Sequence, residues 1–167
     1  HGVNPVLTAS EKSRIAIIGQ APGRIVHETS IPWNDKSGDR LREWLGVEKD
    51  VFYNPEMFAL IPMGFCYPGT GKSGDLPPRK ECAKEWHEVL VEKMPNLELI
   101  ILIGTYAQKY YLQSKMKNTL TETVRHFHEY LPKQMVLPHP SPRNNIWLKK
   151  NPWFEKELVP VLQALIK

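Results

Sequence analysis

The sequence predicts an α/β domain, a three-layer αβα sandwich around a central, mostly parallel four-stranded sheet. Three observations carry this. Short β-branched runs alternate along the chain with longer segments of helical apolar spacing. The strand candidates are apolar on both faces, as strands covered by helices on two sides must be. The chain is 167 residues long, room for one compact domain and little more, with no internal repeat or linker; a single domain over 1–167 is expected.

The elements follow in order. Arg14-Ile-Ala-Ile-Ile-Gly19 reads as a buried strand running into the tight turn Gly19-Gln20-Ala21-Pro22-Gly23. Asp39 to Leu45 is a short helix with Leu41, Trp44 and Leu45 on one face and Gly46 as its stop. Met57 to Ile61 is a second strand, halted by Pro62. Tyr67 to Pro78 holds three glycines and three prolines and reads as an exposed loop. Pro78 opens a helix in which Cys82, Trp86 and Leu90 recur at i, i+4, i+8, so Trp86 belongs to the core and His87 to the surface. Leu97 to Ile103, ending at Gly104, is the clearest buried strand. Tyr106 to Leu112 and Thr119 to Leu131 are helices, and Met135 to Leu137 is a brief strand, extending to Pro138. Asn151-Pro152 opens a final helix with Leu158, Leu162 and Leu165 inward, kinked at Pro160.

Composition excludes several classes. The longest apolar run, Leu99 to Ile103, is far short of the ~20 residues needed to span a bilayer. Two cysteines are too few for a disulfide scaffold or a four-cysteine metal site. Lys plus Arg exceed Asp plus Glu by 22 to 18, a net charge of +4, which suits a polyanionic partner without demanding one.

Ligands of open parallel sheets sit beyond the carboxyl ends of the strands, and two turns fall there. Gly19 to Gly23 combines glycines, which permit close backbone approach, with a stiffening proline. In Pro138-His-Pro-Ser-Pro-Arg-Asn144, three prolines rigidify a loop around His139 and Ser141. Pro68-Gly-Thr-Gly-Lys-Ser73 looks like the end of a phosphate-binding loop. The full pattern needs glycine where Cys66 stands, and a helix starting at Lys72-Ser73; Asp75, Pro77 and Pro78 forbid that helix, so nucleotide hydrolysis is not expected.

The two turns, about 120 residues apart, resemble the signature motifs of the uracil-DNA glycosylase superfamily. Gly19 to Gly23 is similar to the Gly-Glu-Ala-Pro-Gly motif of its iron–sulfur branch, with Gln20 in place of Glu. His139 to Asn144 is similar to the His-Pro-Ser-Pro-Arg-Asn motif of the single-strand-selective monofunctional branch. Ile31-Pro32-Trp33 falls where the iron–sulfur branch has a Pro-Phe pair whose ring stacks on the flipped base. Cys66 and Cys82 are spaced like its last two cluster cysteines, and Ile103-Gly104-Thr-Tyr-Ala107 resembles a strand-to-helix turn common in the superfamily.

The resemblance implies a monofunctional glycosylase that hydrolyses the N-glycosidic bond of uracil or a related deaminated base in DNA, opening base excision repair. It implies His139, Gln20 and Ala21 as the catalytic positions, with Trp33, Gly19, Pro22 and Gly23 around the base. Ser141, Pro142 and Arg143 would lie on the DNA. The protein is expected to act as a monomer in the cytoplasm, with no membrane partner. The alternative is a weak or inactive member that binds nucleic acid or free base. Ala21 stands where another branch has a water-activating aspartate, and Pro62 where the iron–sulfur branch has a base-reading asparagine, unless Asn54 supplies the amide. Cys66 and Cys82 are either half of an iron–sulfur site or, for Cys82, a small core residue. No cofactor is required by the chain as given, and a [4Fe–4S] cluster, which takes four thiolates, is expected only where upstream cysteines complete the set.

Overall fold

The computed structural model describes residues 3–167. Four parallel strands, β1 (Ile15–Gly19), β2 (Phe58–Pro62), β5 (Leu99–Ile103) and β6 (Gln134–Leu137), form a central sheet in the order β2-β1-β5-β6. Register fixes where the chemistry lies. Ile15 pairs with Phe58 and Leu99, and Ile103 with Leu137, so all four carboxyl ends emerge along one edge. Every β1 residue is buried, which a strand achieves only when both faces are covered. Helices flank the sheet: α2 (Lys36–Leu45) packs against α9 (Val159–Ile166), and α6 (Gly104–Leu112) packs over β1, β5 and β6. The predicted sandwich is the observed one, and its sheet is wholly parallel.

The remaining helices are short: α1 (Arg24–Thr29), α3 (Lys49–Phe52), α7 (Leu120–Arg125) and α8 (Asn145–Lys150). Upstream of β1, Thr8 forms an antiparallel bridge with Leu60, using both backbone hydrogen bonds, on the open side of β2. The predicted 67–78 loop contains a small antiparallel hairpin, β3 (Thr70–Gly71) and β4 (Gly74–Asp75).

Two helix faces differ from the sequence expectation. A continuous helical run joins α4 (Lys80–Cys82), a π turn (Ala83–His87) and α5 (Glu88–Glu92). Its inward residues include Ala83 and His87, whereas Trp86 is 54% exposed. Burial of His87 rather than Trp86 follows from partners. Its Nε2–H donates to the Pro62 carbonyl at 2.8 Å, and Nδ1 accepts from the Tyr111 hydroxyl at 2.8 Å; a satisfied imidazole can enter a core. A second π turn (Phe154–Leu158) precedes α9. A π turn is wider than an α turn, so residues four apart stay on one face. Phe154, Leu158, Leu162 and Ile166 therefore point inward and Leu165 is exposed. Pro160 falls directly after this π turn, inside the helical run that begins at 153, and the widened turn is the distortion that accommodates its missing N–H. The segment expected as one helix over 119–131 is α7 followed by a 3-10 turn, Phe127–Glu129.

Candidate active site

At the carboxyl edge of the sheet lies a cleft of about 480 Å³, a size that accommodates a small ligand. Gly19, Gln20, Ala21, Pro22, Gly23, Trp33, His139, Ser141 and Arg143 all line it. Two turns on opposite ends of the sequence thus form one site. Pro142 is exposed and does not line the cleft, nor do Cys66 and Cys82.

His139 follows β6 by two residues. Gln108, fully buried on α6, donates its amide to the carbonyls of Leu137 at 2.9 Å and Leu102 at 3.3 Å, clipping the ends of β5 and β6 together. Beyond this clip the loop is held from within. Asn144 Nδ2 donates to the His139 carbonyl at 2.7 Å, and the Arg143 N–H to Ser141 Oγ at 3.2 Å. The Ser141 N–H donates to His139 Nδ1 at 3.1 Å. With Nδ1 accepting, the ring proton of the neutral imidazole resides on Nε2. Removal from water pushes the His139 pKa below its ordinary value, while the Asp35 carboxylate pulls the other way. The side chain is therefore a neutral Nε2–H donor near pH 7.

Trp33 stands 5.9 Å from His139 between ring centroids, tilted by 33°. Its backbone has φ +59, a left-handed conformation rare for a bulky residue. The surroundings enforce it. Asp35 caps α2 by accepting from the Gly38 N–H at 2.9 Å. A Cβ on Gly38 would collide with the Trp33 carbonyl, and one on Gly19 would come within 2.8 Å of the indole. Arg42, buried on α2, donates to the Trp33 carbonyl at 3.3 Å, to Tyr53 Oη at 3.2 Å and to the Asp39 carboxylate at 2.8 Å. Tyr53 Oη in turn donates to the Pro32 carbonyl at 2.7 Å. Both carbonyls of the Pro32-Trp33 segment are fastened, and the half-buried indole faces the cleft.

The hairpin closes one side. Ser73 and Asp75 line the cleft, and Arg143 Nη1 donates to the Ser73 carbonyl at 2.9 Å. The sequence reading gave no site role to these two residues, to Asp35 or to Asn144, although Asn144 closes the His139 motif; the Gly71-to-Asp75 run, read only as a failing phosphate loop, was the signal for the hairpin pair. Pro62 lines the cleft and brings no side-chain donor. Asn54 does not replace it, since its Oδ1 caps Glu56 outside the cleft. Cys66 and Cys82 are half-buried free thiols, and no group of three or more His, Cys, Asp or Glu suited to a metal exists among the described residues. Two thiolates do not complete a four-thiolate cluster set.

The fold resembles a solution NMR structure from Methanosarcina acetivorans, assigned provisionally as a uracil DNA glycosylase, with a TM-score of 0.55 and 17% identity over 98% of this chain and 99% of that one. The sequence model of the superfamily matches residues 6–163. With its two signature turns brought into one cleft and nearly its whole length matched, the chain belongs to the Uracil DNA glycosylase superfamily.

Proposed function

We propose that the protein is a monofunctional glycosylase that hydrolyses the N-glycosidic bond of uracil, or a related deaminated base, in DNA. The observation that carries the reading is the fixed tautomer of His139 beside Trp33. A base in a duplex is unreachable and must be flipped out at a cost of a few kcal/mol. Stacking on the indole would offset about 1–3 kcal/mol of that. As the C1′–N1 bond breaks, its electron pair passes to the pyrimidine, whose O2 becomes anionic. A neutral Nε2–H donor on a rigid loop stabilises that charge without burying a cation. No lysine lines the cleft among the described residues, so no amine is at hand for the covalent sugar adduct of a lyase. Pro62 leaves the base edge unread from that position and supports a broader choice of deaminated bases. DNA would reach the cleft along Ser141 and Arg143, through phosphate contacts.

The test is release of base from single- and double-stranded uracil oligonucleotides, with hypoxanthine oligonucleotides alongside. His139→Ala is expected to lower the single-turnover rate by ~100–1000-fold, the loss typical of one oxyanion donor, with oligonucleotide affinity little changed because phosphates supply most of it. A folded variant that cleaves at the parent rate would remove His139 from the reaction.

A further inference from the structure

Hydrolysis of an N-glycoside develops two charges. His139 answers the anion on the base. The sugar C1′ becomes cationic, and the water that attacks it must lose a proton. Ala21 offers no group for either task.

Among the described side chains that line the cleft, only Asp35 and Asp75 carry carboxylates. Asp35 is committed, since its Oδ1 accepts the Gly38 N–H and its charge acts on His139. It belongs to the base-binding side. Asp75 has no side-chain hydrogen bond or ion pair among the described residues, and its Oδ2 lies 3.6 Å from where a Cβ on Gly23 would sit. Its exposed carboxylate thus lies in van der Waals range of the turn that carries Ala21, open both to the cleft and to water. The hairpin holds it there, because Arg143 grips the Ser73 carbonyl and fills the room beside Gly74. An unpaired carboxylate in a cleft that receives a polyanion weakens binding, so its presence asks for a chemical reason.

We propose that Asp75 is the water-activating carboxylate of this site, supplied by the hairpin in place of a base at position 21. This rests on the glycosylase reading above. Asp75 accepts a proton from a water whose oxygen bonds to C1′ as the C1′–N bond breaks; the bonding pair leaves with the base, and the proton is later released to solvent. The same negative charge faces the developing sugar cation.

The test uses a single-stranded uracil oligonucleotide with protein in excess. Rate of base release, oligonucleotide affinity and melting temperature are measured for the parent, Asp75→Asn and Asp75→Ala, the last with and without added formate. General-base loss is expected to slow Asp75→Asn by about 100-fold or more, with affinity unchanged or tighter because a negative charge has left. Formate is expected to restore part of the Asp75→Ala rate, which a structural role would not allow. A folded Asp75→Asn that cleaves at the parent rate overturns the assignment while leaving the glycosylase reading intact. So does a slow variant whose loss tracks lost folding or affinity with no formate rescue. A parent protein that releases no base from any oligonucleotide overturns the glycosylase reading and Asp75's role with it.

Discussion

Trp33 occupies a backbone region that costs of order 1–3 kcal/mol for a residue of its kind. The buried Arg42 offsets that cost with hydrogen bonds of a charged donor, each contributing about 1.5–3 kcal/mol. Its guanidinium also lies 5.0 Å over the Phe52 ring and 5.6 Å over that of Tyr53. Replacement of Arg42 by Met would leave the Trp33 carbonyl without its side-chain donor and the Tyr53 oxygen with its bond to Pro32 alone, while roughly keeping the volume. A stability loss of ~2–4 kcal/mol is expected in urea titrations, together with weaker binding of base-site DNA as the indole leaves its pose. Arg42→Lys should recover only part of the affinity, because an ammonium lacks the planar fork that reaches Trp33 and Tyr53 together. Trp33 itself was legible in the sequence, from Pro32 and its distance after the first turn. Arg42 was not: on an amphipathic helix it reads as an ordinary solvated residue, and its burial depends on partners that only the folded backbone assembles.

At the level of elements, the β3–β4 hairpin is the piece on which site geometry turns. Gly74 has φ +116, and Arg143 occupies the place of its missing side chain. Gly74→Ala is therefore expected to dislodge the hairpin while sparing the core. Limited proteolysis should cut faster between residues 67 and 78, and base release should slow, with a melting temperature close to the parent's. A melting temperature that falls sharply with unchanged proteolysis would contradict this division. The sheet strands were readable to within a residue or two because a doubly buried strand must be apolar throughout. The hairpin was not, since two-residue strands have no periodicity and this one is held by a residue about 70 positions away. The faces around Trp86 and His87 were misjudged for a third reason: both lie within a π turn, which shifts the register that an ideal helix would predict, and the π turn ahead of α9 offsets in the same way the face on which Leu165 was expected.

For the molecule as a whole, two imidazoles couple folding to acidity. His87 and His139 both have pKa values depressed below the ordinary 6.5, chiefly by loss of water. The unfolded chain then binds more protons than the native one just below pH 6.5, so stability is full above that pH. It declines as pH falls from 6.5 through the folded values, by at most about 1.4 kcal/mol per pH unit for each group. Urea midpoints are expected to be lower at pH 5.5 than at pH 7.5, and the difference should shrink in a His87→Asn variant. A midpoint that rises on acidification would contradict the burial of both rings in neutral form. The net charge of +4 acts differently: it would favour encounter with a polyanion, as the proposed substrate is, at low ionic strength and fade with added salt.

The sheet order β2-β1-β5-β6 places β5 between the strand that leads to Gln20 and the strand that leads to His139. The two halves of the cleft therefore have no strand pairing with each other and meet only through an intermediary. A growing chain carries the Gly19 turn, Trp33 and the hairpin residues before β6 and its loop are made, so the two halves of the cleft can join only once the last strand is in place. Closing a loop across some 120 residues carries an entropic cost, and the Gln108 amide ties Leu102 to Leu137 at the seam between β5 and β6. On the proposed reading, base release would require β6, the strand that comes last in the chain and brings His139 to a cleft whose other wall carries Trp33.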